Sequence, residues 1–312
     1  MSRVIVVGAG VVGLTSAVRL LEAGHRVDVV ARDLPLETTS AVAAAIWYPY
    51  RALPADRVTA WSRTSYDVLE ALSGQDGTGV RMLPGQELFR SRTADPWWRE
   101  AVPTLTRLTE VPAPYADGLR FLAPVVEMPI HLRWLVQRIE ALGGTVTRMA
   151  LSALPDTAAV VVNATGLGAR RMAEDPSTTP VRGQVVYVEQ VGLEEWSLDT
   201  SDGAPIYVVP RSADIVVGGA DDEGSWDRRP DPLVAERILD RAFELVPVLA
   251  GARVLGHRVG LRPVRPEVRL EVEQRDGTTV VHCYGHGGGG VTTAWGCAEE
   301  VADLVAGVRP PA

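Results

Sequence analysis

Residues 4–13 read Val4-Ile5-Val6-Val7-Gly8-Ala9-Gly10-Val11-Val12-Gly13. An aliphatic, β-branched run enters a Gly-x-Gly-x-x-Gly turn, and apolar positions at helical spacing follow from Leu14 to Ala23. In a strand–turn–helix unit each glycine has a task. Gly8 permits the tight turn, Gly10 lets a pyrophosphate approach the backbone, and Gly13 lets the helix pack close to the strand. The helix then presents unpaired N–H groups and a partial positive charge to a ligand. Gly24 suits the helix end, and Arg26–Ala31 reads as a second strand that completes a βαβ unit. The segment predicts a dinucleotide site; the alternative is a glycine-rich turn without a ligand.

Working outward, the second strand ends in Ala31-Arg32-Asp33, where such folds meet the adenosine ribose. Arg32 either reaches adenosine or phosphate oxygens or is a solvated loop residue. Residues 36–50 (Leu-Glu-Thr-Thr-Ser-Ala-Val-Ala-Ala-Ala-Ile-Trp-Tyr-Pro-Tyr) are rich in small side chains. They allow a flat ligand to lie against backbone, or else form a tightly packed helix start. After residue 51 prolines become frequent, and Asp95-Pro-Trp-Trp98 reads as a loop. A helix is expected over 130–142, with Leu132, Leu135, Val136, Ile139 and Leu142 on one face, and a buried strand over Ala158–Val162. Strands follow at Val185–Glu189, Ile206–Val209 and Ile215–Gly218, then a helix within 231–250.

At the other end, Tyr284-Gly-His-Gly-Gly-Gly-Gly-Val-Thr292 follows a strand near Thr279–Tyr284 and precedes a helix over Thr292–Ala306. The glycines allow backbone N–H groups to approach a planar ring, and the helix start supplies a positive end for developing negative charge. Gly260-Leu-Arg262-Pro-Val-Arg265-Pro266 holds Arg262 between apolar and proline residues, where its guanidinium suits a carboxylate; a surface ion pair is the common alternative. Tyr207 places a phenol in an apolar strand, where its hydroxyl needs a partner.

The chain has 312 residues, 46% of them hydrophobic, and a net charge of −8. That balance disfavours a nucleic-acid binder, which needs a basic surface. No apolar run reaches membrane-span length, and neither a signal peptide nor an address in the tail Arg309-Pro-Pro-Ala312 is visible. With two cysteines, Cys283 and Cys297, reduced thiols in a cytoplasmic protein are expected rather than a disulfide. No His or Cys spacing suggests a metal ligand set, and His286 and His257 read as structural hydrogen-bonding residues. Neither a serine-hydrolase elbow nor a Walker A lysine is present.

Collected, the segments Gly8–Thr15, Ala31–Pro35, Trp47–Tyr50, Asn163–Gly168, Arg182–Gln184, Tyr207–Arg211, Val259–Pro263 and Tyr284–Gly287 resemble the D-amino acid oxidases, in family order over nearly the whole chain. The resemblance implies an α/β protein with a Rossmann-like FAD-binding domain and a substrate domain built on a mixed or antiparallel sheet. The FAD domain is expected to be discontinuous, over 1–50, 130–180 and 255–312, with 51–129 and 181–254 forming the substrate domain. By motif, Arg262 clamps a substrate carboxylate, Tyr207 bonds the same group, a carbonyl near Gly288 accepts from the amine, and Tyr48 stands beside the substrate. FAD contacts fall on Ala9, Gly10, Val12, Gly13, Leu14, Arg32, Asp33, Thr38, Thr39, Ala44, Ala45, Thr165, Gly166, Arg262, Gly287, Gly288, Gly289, Gly290, Val291 and Thr292.

The implied reaction is oxidative deamination of D-amino acids by O2, with hydride transfer to flavin N5. It yields hydrogen peroxide, a 2-oxo acid and ammonia. The residues offer an anion clamp and no evident general base, which fits hydride transfer. Three positions depart from relatives: Gly203 replaces a lid tyrosine, Tyr48 a glutamine, and Gly289 an aromatic residue. D-aspartate oxidase and glycine oxidase remain close alternatives, and an acidic substrate would require a second cation, for which Arg211 is a candidate. A non-catalytic FAD-binding redox module is the alternative from another class. Partners are expected to be a small D-amino acid and O2, with no nucleic acid or membrane, and the chain could pair as a homodimer.

Overall fold

The computed structural model describes residues 2–201, 203–275 and 277–308; the tail Arg309–Ala312, in which no address was read, lies outside them. One continuous mixed sheet runs through the chain, and its two halves differ in strand direction. In the first half Arg3–Val7 pairs in parallel with Arg26–Ala31 and Val160–Asn163. Thr145–Arg148 and Thr278–His286 extend this parallel set at its two sides. The strands Arg3–Val7 and Val160–Asn163 are aliphatic and almost wholly buried, as expected where helices cover a parallel sheet.

The second half is mostly antiparallel. Thr179–Glu189 pairs with Asp214–Gly218, which pairs with Ile206–Pro210 and then Trp196–Asp199. Val80–Phe89 joins Trp196–Asp199 in parallel and Asp117–Val126 antiparallel. One long strand, Val254–Arg275, links the halves. Its first part pairs with Thr179–Glu189 and its last part with Thr278–His286, and the register shifts between Val264 and Arg269. Pro263 and Pro266 fall at this junction, where ladder N–H groups are least required.

The helix Val11–Glu22 packs against Met128–Ala141 and Gly290–Ala306. Gly24 has a φ of +84°, the left-handed conformation that closes the first helix. The helix Pro232–Leu245 covers the antiparallel half. It begins with Asp231 accepting from the backbone N–H of Leu233 at 2.8 Å, and Pro232 occupies its first turn. A second apolar core forms there from Val186, Val208, Val217, Ile238 and Leu249.

The proline-rich stretch after residue 51 contains a nineteen-residue helix, Ala55–Ser73. Its buried face is Val58, Trp61, Ser62, Ser65, Tyr66, Leu69 and Leu72. Two serines in that stripe hide the helical periodicity. Ser65 Oγ accepts from the Gly296 backbone N–H at 3.0 Å, tying this helix to Gly290–Ala306, and the Ser62 carbonyl accepts from the Trp47 indole N–H at 2.9 Å. Residues 36–50 form neither a packed helix start nor a strand but two single 3₁₀ turns, Pro35–Glu37 and Thr39–Val42. No helix among the described residues is long and apolar enough to cross a membrane.

Candidate active site

A cavity of about 620 Å³ runs from the first βα turn to the glycine turn near the chain's end. Two helices start at its wall without a capping side chain and without an acid in the first turn: Val11–Glu22 after Gly10, and Gly290–Ala306 after Gly289. Gly10, Val11, Val12, Gly290 and Val291 all line it. Uncapped helix starts leave N–H groups and partial positive charge directed at a ligand. Only one of the first helix's donors is satisfied by a side chain: the Val11 N–H donates to Ser40 Oγ at 3.0 Å.

The glycines are required by packing. At Gly8 φ is +118° and a Cβ would strike the Ala164 carbonyl; at Gly13 a Cβ would strike the Gly8 carbonyl. At Gly287 φ is +55° and a Cβ would collide with the Arg51 carbonyl, while at Gly288 it would come within 2.6 Å of the Tyr50 ring. Glycine thus lets both turns pack tightly onto the protein's own backbone and the Tyr50 ring, and Gly8, Gly10, Gly287 and Gly288 line the two ends of the cavity, a cradle that fits a long, anionic dinucleotide such as FAD lying along the main chain.

Of the residues expected from the sequence, Ala9, Gly10, Val12, Arg32, Asp33, Thr38, Thr39, Ala44, Ala45, Tyr48, Thr165, Gly166, Tyr207, Arg262, Gly287, Gly288, Gly290 and Val291 line this cavity. Arg32 and Asp33 pair with each other through two hydrogen bonds of 3.0 and 2.6 Å at the exposed end. Thr39 Oγ1 donates to the Leu261 carbonyl at 3.1 Å, fixing the small-residue segment on the long strand beside Arg262. Ala45 holds a left-handed φ of +56°, uncommon without glycine.

Four expected contacts lie off the wall: Gly13, Leu14, Gly289 and Thr292. Gly13 faces the strand, Leu14 is fully buried in the core, and the Leu14 N–H is spent on the Gly10 carbonyl at 3.0 Å. The Gly289 N–H donates to the His286 carbonyl at 2.9 Å. The Thr292 hydroxyl exchanges hydrogen bonds with the Tyr48 backbone, accepting from its N–H at 3.1 Å and donating to its carbonyl at 3.0 Å. These residues shape the turns from behind.

Arg262 and Tyr207 come from different strands to the same cavity. Arg262 Nη1 donates to the Ala220 carbonyl at 2.9 Å and stands 3.5 Å from Asp221 Oδ1. Asp221 is held more tightly elsewhere, by Arg51 at 2.6 Å and by the Tyr50 hydroxyl at 2.8 Å. Because 3.5 Å is long for a charge-assisted bond, Asp221 leaves Arg262 able to take a ligand carboxylate. Gly183 makes room for the guanidinium: a Cβ there would lie 2.6 Å from Nη2. Gly218 and Gly219 likewise give the Tyr207 ring space.

Arg211, the candidate second cation, is not on the cavity wall. It is buried, pairs with both Asp214 oxygens at 2.7 and 2.8 Å, and lies over the Tyr187 ring. Proline at 210 ends the strand, and the chain turns Arg211 onto its own hairpin.

Sequence reading missed Ser40, Tyr50, Arg51, Asp221 and Glu87. Ser40 stands in a Thr-Thr-Ser run that carried a signal. Arg51 and Asp221 are far apart in sequence and carried none. Glu87 is buried and accepts from the Tyr48 hydroxyl and from Thr200 Oγ1, each at 2.7 Å. Burial pushes its carboxyl up to about 7. Burial, and then the Glu87 charge, push the Tyr48 phenol well above its ordinary range. Tyr48 thus reaches the wall with its hydroxyl already committed.

The two cysteines, for which sequence spacing suggested neither a disulfide nor a metal ligand set, meet His286 in one buried cluster. Both are free thiols. Hydrogen bonding from the Cys297 thiol holds Cys283 below its ordinary range, and burial raises Cys297.

Comparisons with known proteins agree with this geometry. Residues 3–304 match the family model described as FAD dependent oxidoreductase. A D-amino-acid oxidase of Rubrobacter xylanophilus is 51% identical, the match covering 97% of this chain and 96% of the relative. A D-amino-acid oxidase of Streptomyces coelicolor is 46% identical, covering 97% and 96%. The human D-aspartate oxidase is 37% identical, covering 97% and 94%. Among solved structures, glycine oxidase from Bacillus cereus superposes with a TM-score of 0.81 at 19% identity, covering 99% of this chain and 96% of that one, a likeness of fold. The chain belongs to the DAO family of FAD-dependent oxidoreductases.

Proposed function

We propose that this protein is a D-amino-acid oxidase that deaminates D-amino acids with O2. The observation that carries the reading is the pairing of Arg262 and Tyr207 on one wall of a cavity onto which two uncapped helix starts open. The relatives named as D-amino-acid oxidases support it.

Arg262 and Tyr207 would fix the substrate carboxylate, and the Gly288 carbonyl would accept from the amine. Three anchors present one Cα–H to the ring and select one hand. FAD, when bound, supplies the hydride acceptor and passes the electrons to O2 as hydrogen peroxide. Of the chain's own groups, Gly10, Val12, Thr38, Thr165 and Gly166 would hold the cofactor's phosphate and ribose portions, and Gly287, Gly290 and Val291 its ring. The start of Gly290–Ala306 would favour negative charge developing there. The carboxylates on the wall, Asp33 and Glu37, are paired with Arg32 and Arg148. Neither is placed to abstract a proton, which favours hydride transfer.

A neutral substrate side chain fits best. Arg51 is committed to Asp221 and Glu223, and Arg211 to Asp214, while Ile46, Leu198 and Pro205 give an apolar wall. Free thiols at Cys283 and Cys297 suit a cytoplasmic setting. Peroxide release from D-alanine, D-valine, D-phenylalanine, D-aspartate and glycine tests the reading. Turnover of the neutral D-amino acids above D-aspartate and glycine is expected; D-aspartate as the best substrate would contradict it.

A further inference from the structure

Three soft donors converge behind the last glycine turn. Cys283 and His286 stand three residues apart on the strand Thr278–His286. Gly287–Gly289 reverse the chain, and the helix Gly290–Ala306 brings Cys297 back over them. All three side chains are buried, and their donor atoms lie within 4.8 Å of one another. Cys283 Sγ stands 3.8 Å from His286 Nε2.

Zinc bonds of about 2.3 Å to sulfur and about 2.0 Å to nitrogen, in a tetrahedron, put neighbouring donors roughly 3.5–3.8 Å apart. The Cys283–His286 separation already meets that, and Cys297 needs to close by about 1 Å at most. We propose that Cys283, His286 and Cys297 form a zinc-binding site whose fourth position is open to water from the cavity. Charge selects the metal. Two thiolates and one divalent ion sum to zero, whereas a monovalent soft ion would leave a net negative charge among buried side chains. Cys283 and His286 line the cavity, which gives the ion an entry path. The metal would tie the last strand to the last helix across the turn that forms one end of the cradle, a role separate from turnover.

The test uses the full FAD-loaded chain, dialysed against zinc chloride and then freed of excess metal. Metal analysis should find one zinc per chain, and X-ray absorption should show a sulfur shell near about 2.3 Å. Because both thiols are buried, thiol protection is read by comparison: alkylation in mild denaturant should be slower with zinc than without, and Tm should rise with zinc. Cys297→Ser should bind zinc at least tenfold more weakly and lose the rise in Tm. If that variant does not fold, the sulfur shell of the parent chain and its zinc-dependent rise in Tm decide alone. Substoichiometric zinc, a shell of nitrogen and oxygen only, or unchanged affinity in a folded Cys297→Ser would overturn the proposal.

Discussion

Arg262 combines a fixed position with a weakly satisfied charge. Its neighbour Asp221 is drawn to Arg51, so the guanidinium keeps bonding capacity for a substrate. Truncating one partner of a desolvated charge pair costs about 2–5 kcal/mol. Arg262→Ala should therefore lower kcat/KM for D-alanine roughly thirty-fold or more while retaining FAD. An unchanged KM in that variant would remove Arg262 from the substrate site. Arg262→Lys should recover little, since a point charge replaces a planar fork.

Glu87 gives a second test at this scale. The folded protein binds its proton more tightly than the unfolded chain, at about 7 against an ordinary 4.5. Its contribution to stability is thus full below about pH 4.5 and lost as pH rises through 7, on the order of 3 kcal/mol. His131 acts in the opposite sense. Burial lowers it to about 4, so its contribution is present above about pH 6.5 and lost as pH falls toward 4. Urea unfolding of Glu87→Gln against the parent isolates the carboxyl: the variant should gain relative stability between pH 5 and 7. A pH-independent difference would show that Glu87 titrates normally.

At the scale of elements, the two glycine turns set the account, and both were legible because glycine is the signal and the requirement at once. Gly13 allows the first helix to touch the strand, and Gly296 allows Gly290–Ala306 to touch the backbone of Trp61. Gly296→Ala should destabilise by about 1–3 kcal/mol through overpacking. Gly24→Ala, with open space but a φ of +84°, should cost about 1–2 kcal/mol from conformation alone. Thermal unfolding of the two variants against the parent measures both losses. A Gly296 variant as stable as the parent would contradict the close backbone contact with Trp61. The parallel strands Arg3–Val7, Arg26–Ala31 and Val160–Asn163 and the last helix could be read from aliphatic runs and spacing, whereas the short exposed strand Thr145–Arg148 (Thr-Val-Thr-Arg) could not. The helix Ala55–Ser73 could not, because Ser62 and Ser65 occupy buried positions where the pattern expects apolar side chains. The Arg51–Asp221 contact and the Cys283–His286–Cys297 cluster were hidden for a different reason: long-range proximity has no local signature.

Across the whole molecule, a parallel half able to hold a dinucleotide and an antiparallel half share the strand Val254–Arg275. We propose that 1–50, 130–180 and 255–312 form the FAD-binding part and 51–129 with 181–254 the substrate part. Arg262 lies on the shared strand, so one element orients the substrate group against the cofactor's cradle. The central claim is that both glycine turns hold one flavin over which Arg262 orients an amino acid. The visible spectrum of the purified protein, before and after anaerobic addition of D-alanine, tests it most directly. The protein should show the flavin's yellow bands and their bleaching by D-alanine, with recovery in air. A colourless protein that takes up no added FAD, or a yellow one that no amino acid bleaches, would contradict it.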